Sequence, residues 1–449
     1  MDTLINVSQF LLSLSLLIVL HEMGHFLPAR WFKTRVEKFY LFFDFAPFNA
    51  LWKTRRGETE YGIGWLPLGG YVKIAGMVDE SMDTEALKQP PQPWEFRSKP
   101  AWQRLIIMLG GVTVNFLLGF FIFGMMLWVY GEEYTPTRSA KDGLAFDSLM
   151  LNQGFRDGDL IVRVGDKPFD RIDEGAFLES LILDEAGAVT VRRNGTDTVL
   201  RLSGETAQSL AKSGRMRTAL FTPRMPFYVE SVAAGKPAEK AGLLAGDRII
   251  SLNESPTPFY DQFVRLAQTF KGQSVTLGIQ RSADTLSLPL TLTAEGQIGV
   301  YARQKGLFEV ERKTYSLAEA LPGGVQRGMA FLNTQIKAFG MMITAKLNPN
   351  ENLGSLISIS KLYGTTWNWE RFWGLTASLS ILLAFMNLLP IPALDGGYVV
   401  FLLWEVFTGR KVSDSVMEKA VTVGFFLLLA LMIYAFGLDL WRHVFQQFF

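Results

Sequence analysis

The chain has 449 residues, of which 49% are hydrophobic and only 19% are charged, with 44 basic and 43 acidic side chains. A soluble domain carries about 25% charged residues, so this composition, with its mean hydropathy of +0.17, indicates a membrane protein that has a soluble part. The net charge of +1 argues against a nucleic-acid-binding protein that depends on bulk positive charge, and the absence of cysteine excludes disulfides, thiol nucleophiles and cysteine metal sites.

The first predicted membrane span runs from about residue 5 to residue 29 and contains the motif HEMGH, with His21, Glu22 and His25. It has neither a basic leader nor a small-residue cleavage site, so we expect a retained helix rather than a signal peptide. Helix residues four apart share a face, so both imidazoles can reach one metal ion with Glu22 beside them. A pair of core histidines is the alternative, but ionisable groups inside a lipid-spanning helix are costly and usually functional.

A glycine-rich stretch follows the first span, with the sequence GIGWLPLGGYVKIAGM at residues 62–77. Its alternating pattern predicts a β-hairpin with Pro67, Gly69 and Gly70 at the turn. Such a strand can hold an extended peptide by strand addition, which makes Gly69 and Gly70 candidate substrate-binding residues. An ordinary cytoplasmic hairpin is the alternative that these residues leave open.

The second predicted span runs from about residue 105 to residue 130 and carries one conspicuous polar residue, Asn115. Asn115 ends the sequence Gly111-Val-Thr-Val-Asn115. Amide side chains between membrane helices usually form interhelical hydrogen bonds. We therefore expect Asn115 to join two helices rather than to act as a catalyst.

Residues 131–309 have the composition of a soluble region, with turn residues and short alternating strands. Two stretches are similar to each other: GFRDGDLIVRVGDKPF at 154–169 and GLLAGDRIISLNESP at 242–256. Each indicates a Gly-Asp turn, an apolar strand and a second turn. The pair resembles tandem PDZ domains, although only the later copy has the preceding sequence PAEKAG. A β-rich region without a peptide pocket is the alternative.

Apolar residues at intervals of four and three predict a helix with one apolar face after this region. These residues are Val325, Met329, Leu332, Ile336, Phe339 and Ile343. Three placements stay open: on the outer membrane surface, over the active-site cleft as a gate, or packed against a PDZ domain.

The third predicted span is interrupted by Pro390 and Pro392, and Asp395 follows directly in the sequence NLLPIPALDGG. A zinc hydrolase needs three protein ligands and a water. Cysteine is absent and His443 lies near the far end of the fourth span, so Asp395 is the candidate third ligand. The prolines expose backbone groups, which a membrane protein tolerates only where the chain lines a cavity. The alternative is a carboxylate in a loop exposed to the cytoplasm.

Basic residues beside the spans indicate the orientation of the chain. These residues are Arg30, Lys33, Arg35, Lys38, Lys99, Arg104, Arg410 and Lys411. By the positive-inside rule, residues 31–104 and 409–420 are expected in the cytoplasm. Both termini and the large segment 131–371 are then expected on the other side.

The motifs HEMGH in a first span and NLLPIPALDGG in a later one resemble the site-2 protease family of intramembrane zinc metalloproteases. The Gly-x-x-x-Asn sequence, the glycine-rich hairpin and the PDZ-like stretches extend this resemblance over essentially the whole chain, to the bacterial regulator-of-sigma-E protease type. By this resemblance, the candidate zinc ligands are His21, His25 and Asp395, and the candidate general base is Glu22. The candidate substrate-binding residues are Asn387, Pro390, Pro392, Gly69 and Gly70.

The resemblance implies hydrolysis of peptide bonds in the transmembrane segments of single-span proteins, after a first extracytoplasmic cut. The implied substrates are anti-sigma factors, with signal-peptide remnants as a second class, and the implied location is the lipid bilayer of a bacterial inner membrane, with no nucleic acid as partner. The alternatives are a metal-ion transporter and an inactive PDZ scaffold. PDZ domains and a general base do not serve transport, and a complete set of ligands argues against an inactive scaffold.

The predicted fold class is a polytopic α-helical membrane protein with four transmembrane helices, a membrane-associated β-hairpin and an inserted extracytoplasmic tandem PDZ (α+β) region. The predicted segments are transmembrane helix 1 (1–31), a cytoplasmic loop with the hairpin (32–104), transmembrane helix 2 (105–130), a first PDZ domain (131–221), a second PDZ domain (222–309), amphipathic helices (310–371), transmembrane helix 3 (372–408), a cytoplasmic loop (409–420), and transmembrane helix 4 with the C-terminus (421–449).

Overall fold

The computed structural model describes residues 2–44, 48, 50–67, 69–77, 89–182, 184, 186–202, 219–303, 306–344 and 356–443. The chain forms two compact units. We call residues 1–132 together with 314–449 the helical unit, and residues 133–313 the β-rich unit.

The regular elements are numbered in chain order. The helices are α1 (Asp2–Trp31), α2 (Ala101–Val129), α3 (Ser148–Leu151), α4 (Glu174–Ile182), α5 (Pro237–Lys240), α6 (Tyr260–Thr269), α7 (Leu317–Ile343), α8 (Leu356–Leu362), α9 (Trp369–Leu388), α10 (Asp395–Thr408) and α11 (Asp414–His443). The strands are β1 (Val36–Leu41), β2 (Trp52–Arg56), β3 (Thr59–Ile63), β4 (Tyr71–Ile74), β5 (Glu132–Tyr134), β6 (Leu144–Phe146), β7 (Leu160–Val164), β8 (Lys167–Pro168), β9 (Ala188–Arg193), β10 (Thr196–Arg201), β11 (Phe221–Pro223), β12 (Val229–Val232), β13 (Arg248–Leu252), β14 (Ser255–Pro256), β15 (Ser274–Arg281), β16 (Asp284–Thr291), β17 (Val300–Ala302) and β18 (Glu311–Lys313).

Four helices of the described chain are long and apolar enough to cross a membrane: α1, α2, α9 and α11. This confirms the four predicted apolar helices. The predicted third span consists of two helices, because α9 ends at Leu388 and α10 begins at Asp395. Pro390 and Pro392 lie between them, and proline lacks the N–H that would continue a helix. Arg104 of α2 forms an ion pair with Glu405, which fastens α10 to α2.

Glycines let the helices of this unit approach each other closely. A Cβ atom on Gly24 of α1 would lie 2.5 Å from the Gly110 carbonyl oxygen of α2. A Cβ atom on Gly324 of α7 would lie 2.5 Å from the Gly124 Cα of α2. Because real Cβ atoms essentially never come so close, larger residues at Gly24 and Gly324 would push the helices apart.

The predicted helix after the PDZ-like region is α7, but its contacts differ from those expected. It packs on α2 through Gly324 and Gly328. The predicted apolar face is only partly covered: Leu332 packs beside Phe331 in a core cluster, whereas Val325, Met329, Ile336 and Ile343 are exposed. Glycine carries no hydrophobicity, so an apolar periodicity could not identify this contact face.

The prediction that residues 62–77 form a β-hairpin is wrong, because the strands on either side of the turn do not pair with each other. The strands β2, β3, β1 and β4 form one sheet in that order, so β1 separates β3 from β4. Strand β1 pairs in parallel with β3 and antiparallel with β4. The hairpin that does form joins β2 to β3 through Gly57, whose φ of +63° suits glycine. Alternation shows which residues share a face of a strand, but it does not show the partner strand.

The β-rich unit contains two copies of one arrangement. In the first copy a sheet of order β10-β9-β7-β8 accompanies the pair β6–β11, and in the second a sheet of order β14-β13-β15-β16 accompanies the pair β12–β17. Each copy has its own apolar core. The predicted similarity of the two stretches thus corresponds to a repeated fold.

A buried ion pair is repeated in the two copies. Asp159 accepts hydrogen bonds from Arg193, and Asp247 accepts them from Arg281, with both pairs 34 residues apart in the sequence. Both aspartate side chains are 1% exposed. The Arg281 guanidinium holds the pKa of the Asp247 carboxyl below its usual value. These pairs fasten the Gly-Asp turn of each copy to a central strand.

Candidate metal centre

Three side chains from two helices converge inside the helical unit. His21 and His25 lie one turn apart on α1, and Asp395 is the first residue of α10. The His21 Nε2 and His25 Nε2 atoms lie 3.4 and 3.3 Å from the Asp395 Oδ2 atom, and 3.3 Å from each other. Both histidines are buried. Helical periodicity brings the imidazoles together, whereas Asp395 arrives from more than 300 positions away because of the tertiary fold.

The loop between α9 and α10 places Asp395. Its backbone folds back so tightly that a Cβ atom on Gly397 would lie 2.6 Å from the Ile391 carbonyl oxygen. Ala393 has a φ of +82°, a left-handed conformation that non-glycine residues rarely adopt. Tight and strained backbone of this kind is typical of functional sites.

The three atoms fit a metal ion. The Asp395 Oδ2 atom is buried and makes no hydrogen bond within the described chain, although two imidazole nitrogens face it. An acceptor oxygen and two ring nitrogens that point at one centre match the donor set of zinc. For zinc–ligand bonds of about 2.0–2.1 Å, the edges of a tetrahedron are about 3.3–3.4 Å, which are the separations observed here.

A pocket opens beside these three residues, and Glu22 lines it. Val72 of strand β4 lines the same pocket. Gly70 and Tyr71, at the start of the same strand, also line the pocket. The candidate base therefore shares a pocket with the candidate metal ligands and with a strand at the edge of a sheet.

Residues 9–431 match the model of peptidase family M50. The chain belongs to this family. Membership confirms the prediction of a metalloprotease, and the three converging ligand atoms fit its zinc. Because the match covers both the HEMGH motif and Asp395, it includes the residues that form the candidate metal centre.

Curated relatives of this M50 peptidase match it along nearly the whole chain. The regulator of sigma E protease of Haemophilus influenzae is 27% identical over 98% of this chain and 100% of its own length. The regulator of sigma-E protease RseP of Escherichia coli K12 is 30% identical over 95% of this chain and 96% of its own length. A Neisseria meningitidis protein, named as a zinc metalloprotease, is 27% identical over 96% and 98%.

The predicted substrate-binding residues of the M50 peptidase divide into two groups. Asn387 and Gly70 line the pocket, and the Asn387 Nδ2 atom lies 3.2 Å from the His21 Nε2 atom. Gly69, Pro390 and Pro392 are not among the described residues that line it. Gly69 lies against the Phe43 ring, and the two prolines shape the loop before Asp395. Their roles in substrate binding stay predictions.

Sequence reasoning missed the groups behind the histidines. The His25 Nδ1 atom lies 2.8 Å from the Ile107 carbonyl oxygen, and the His21 Nδ1 atom lies 3.1 Å from the Asn115 amide. Asn115 was predicted to join two helices, and it does so, but its partner is a predicted metal ligand. The spacing of Gly111 and Asn115 was visible in the sequence, whereas a backbone carbonyl such as that of Ile107 leaves no trace in residue identity.

Proposed function

We propose that this M50 peptidase is an intramembrane zinc metalloprotease in which His21, His25 and Asp395 hold the zinc and Glu22 is the general base. The observation that carries this proposal is the convergence of two imidazole nitrogens on the otherwise unpartnered Asp395 Oδ2 atom. Ionisable groups buried at membrane depth are costly, and a bound cation offsets that cost.

The chemistry follows from the positions of these residues. When bound, zinc supplies a Lewis acid that activates water and polarises the scissile carbonyl. Glu22 accepts the proton of the attacking water and returns it to the leaving amide nitrogen. Buried apolar neighbours such as Val72 and Met108 limit access of bulk water.

We propose that the substrate binds as an added strand along β4. A peptide bond inside a helix is shielded by its own hydrogen bonds, so a transmembrane substrate must become extended before attack. Strand β4 is an edge strand of its sheet, and Gly70 to Val72 line the pocket. Backbone groups at such an edge can pair with an extended peptide, while Asn387 contacts it near the metal.

The orientation rests on charge and aromatic residues. Basic residues follow α1 and precede α2, which supports a cytoplasmic location for the loop between them. Exposed Trp31 and Trp102 lie at those helix ends, and exposed Trp128 and Trp369 lie at the opposite ends of α2 and α9. Tryptophan is enriched at both membrane interfaces. We therefore propose a bacterial inner-membrane protein with its active site near the cytoplasmic side.

The β-rich unit is proposed to be a tandem of PDZ domains on the extracytoplasmic side. Its support is the repeated arrangement of sheets, with a helix in each copy and the same Asp–Arg pair. PDZ domains bind peptides along a strand edge. Two such domains would act on the outer part of a substrate, before its transmembrane segment is cut.

The proposed substrates are single-span membrane proteins of the anti-sigma-factor kind, cut after a first extracytoplasmic cleavage, with signal-peptide remnants as a second class. The support is the name of the relatives in Haemophilus influenzae and Escherichia coli, which describes them as regulators of sigma E. A pocket at membrane depth beside a β-strand edge suits a substrate that is hydrophobic and must be unwound.

Replacement of Glu22 by Gln tests the proposal. Cleavage of a tagged single-span substrate in membranes should fall by about 100-fold or more, the usual contribution of general acid–base catalysis. Zinc content should not change, because Glu22 is not a ligand. The matched control is Glu418→Gln, an exposed carboxylate on α11, which should cleave normally. Unchanged cleavage in Glu22→Gln would contradict the protease assignment, and zinc transport without cleavage would favour a transporter.

A further inference from the structure

Helix α2 is shaped to receive both imidazoles. A Cβ atom on Gly111 would lie 2.7 Å from the His21 Cε1 atom and would also collide with the His25 ring. Only glycine leaves room for two rings at this point. The face of α2 that includes Gly111 is therefore the wall behind the metal ligands.

On one side of Gly111, this wall offers His25 a hydrogen-bond acceptor. The His25 Nδ1 atom lies 2.8 Å from the Ile107 carbonyl oxygen. A carbonyl oxygen can only accept, so the His25 Nδ1 atom carries the proton. Its Nε2 atom then presents a lone pair toward Asp395, which is the state that a metal ligand requires.

On the other side, the wall offers His21 the amide of Asn115. Asn115 is fully buried, and its amide lies 3.1 Å from the His21 Nδ1 atom. With the amide nitrogen toward His21, the Asn115 Oδ1 atom is left buried without a partner in the described chain. The oxygen and nitrogen of an amide are distinguished by their hydrogen bonds. The reverse orientation gives the His21 Nδ1–H an acceptor and leaves the His21 Nε2 lone pair free for a metal, while the amide nitrogen takes the position in which the oxygen has no partner.

We propose that Asn115 is a positioning residue that accepts a hydrogen bond from the His21 Nδ1–H through its Oδ1 atom and so fixes the His21 Nε2 lone pair on the metal. Asn115 and the Ile107 carbonyl thus play the same part for the two histidines. Such partners behind a ligand typically change metal affinity by 10–100-fold. The inference rests on the proposed ligand assignment.

A second contact holds the Asn115 backbone in place. The Ser380 hydroxyl of α9 donates a hydrogen bond to the Asn115 carbonyl oxygen at 2.7 Å. Both residues are buried, and this bond joins the Asn115 backbone to α9. The amide therefore meets His21 from a backbone that two helices hold.

A helix–helix hydrogen bond without a role at the metal is the competing explanation, and the chain offers a control for it. Ser13 of α1 and Thr376 of α9 are fully buried and joined by a hydrogen bond of 2.9 Å. They do not line the metal pocket. Ser13→Ala therefore removes a buried interhelical bond without touching the metal site.

Zinc affinity separates the two explanations. We would measure it by competition with a chelator, on the full chain in detergent and in the Glu22→Gln background. Asn115→Ala should bind zinc about 10–100-fold more weakly, whereas Asn115→Asp, which keeps an acceptor oxygen, should recover most of that loss. Ser13→Ala should bind zinc like its parent. Equal affinity in Asn115→Ala and its parent, or equal losses in both Asn115 variants, would overturn the proposal.

The tautomer of His21 provides a measurement that needs no Asn115 variant. The chain has only three histidines, so ¹⁵N spectra of the zinc-loaded, histidine-labelled protein are simple to assign. We expect His21 and His25 to carry their protons on Nδ1. A proton on the His21 Nε2 atom would overturn the inference even if the Asn115 variants failed to fold.

Asp395→Asn distinguishes this inference from the proposed function. If Asp395→Asn keeps the full zinc affinity, the ligand assignment is wrong whatever Asn115 does. If Asp395→Asn loses zinc while Asn115→Ala keeps it, the ligands are correct and only the role of Asn115 is wrong.

Discussion

The β-rich unit and the helical unit both bury aspartates, but they surround them differently. Asp247 accepts two hydrogen bonds from Arg281 and one from the Leu244 backbone N–H. Asp159 has the same partners in the other copy, with Arg193 and the Arg156 backbone N–H. In the helical unit, the Asp395 Oδ2 atom faces two imidazole nitrogens and makes no hydrogen bond within the described chain.

This difference distinguishes a carboxylate that only stabilises the fold from a carboxylate that is arranged to bind a cation. An aspartate surrounded by an arginine and backbone N–H groups has its charge compensated by the protein alone. An aspartate that meets lone pairs of two histidines is compensated only when a cation joins them. Aspartates of this kind stabilise the β-rich unit, whereas Asp395 is the proposed metal ligand of the helical unit, and substitutions can test both statements.

The largest effect is expected for Asp395→Asn. Loss of an anionic ligand should weaken zinc binding by more than the 10–100-fold typical of a residue behind a ligand, and cleavage should fall with it. Zinc content and cleavage of a single-span substrate measure the two effects. The control is Asp439→Asn, because Asp439 is buried in the same unit but accepts hydrogen bonds from Ser358. Similar zinc loss in both variants would show that the loss does not depend on metal binding by Asp395.

Asp247→Asn should instead destabilise the β-rich unit and leave zinc unchanged. Breaking a buried ion pair typically costs about 3 kcal/mol or more, and partial exposure of Arg281 reduces that cost to about 2–3 kcal/mol. Limited proteolysis and thermal unfolding of the full chain would measure it. Asp159→Asn should behave alike, whereas Asp197→Asn breaks only the exposed pair with Arg192 and should change stability very little.

The contribution of Asp247 should depend on pH in a defined direction. Arg281 lowers the pKa of Asp247 in the folded protein, so the unfolded chain binds the proton more readily. The stabilisation is complete above the unfolded pKa of about 3.9 and is lost as the pH falls through the lower folded value. The stability difference between the parent and Asp247→Asn should be constant near neutral pH and shrink below about pH 4. A difference that grew on acidification would contradict this sign.

The smallest effect is expected for Ala393→Gly. In the β-rich unit, positive φ angles fall mainly at glycine, such as Gly195, and at the polar residues Asn194, Asn253, Glu254 and Ser282, but the loop before Asp395 imposes one on Ala393. A left-handed alanine costs about 1–2 kcal/mol, and the extra freedom of glycine in the unfolded chain offsets about 0.4–1 kcal/mol. Thermal stability should therefore rise by about 0.5–1 kcal/mol. Ala393→Val should lower it, and a loss of stability in Ala393→Gly would show that the conformation is not strained.

The parts of the site that are close in sequence were predictable. His21 and His25 share a face because of helical periodicity, and Pro390 and Pro392 end a helix because proline lacks an N–H. Asp395 was predicted because cysteine and suitable histidines were absent, which left a carboxylate as the candidate third ligand. The apolar helices were predictable from length and hydropathy alone.

The pairing of elements was not predictable in the same way. Strand β1 lies between β3 and β4 although the chain reaches it first, so the predicted hairpin of residues 62–77 does not form. The contact of α7 with α2 uses Gly324 and Gly328, which a search for apolar residues overlooks. Each of these contacts depends on the shape of a partner that lies far away in the sequence.

The sequence by itself determined the chemistry of this protein: two histidines and a glutamate on one helix, a single suitable carboxylate after a proline break, and a duplicated β-rich segment. Tertiary structure alone decided that Asp395 meets the histidines, that strand β4 lines the pocket beside Glu22, and that Asn115 lies behind His21. The physical reason is that residue identity and spacing limit what a side chain can do, whereas its partners across helices depend on close packing that no local pattern records.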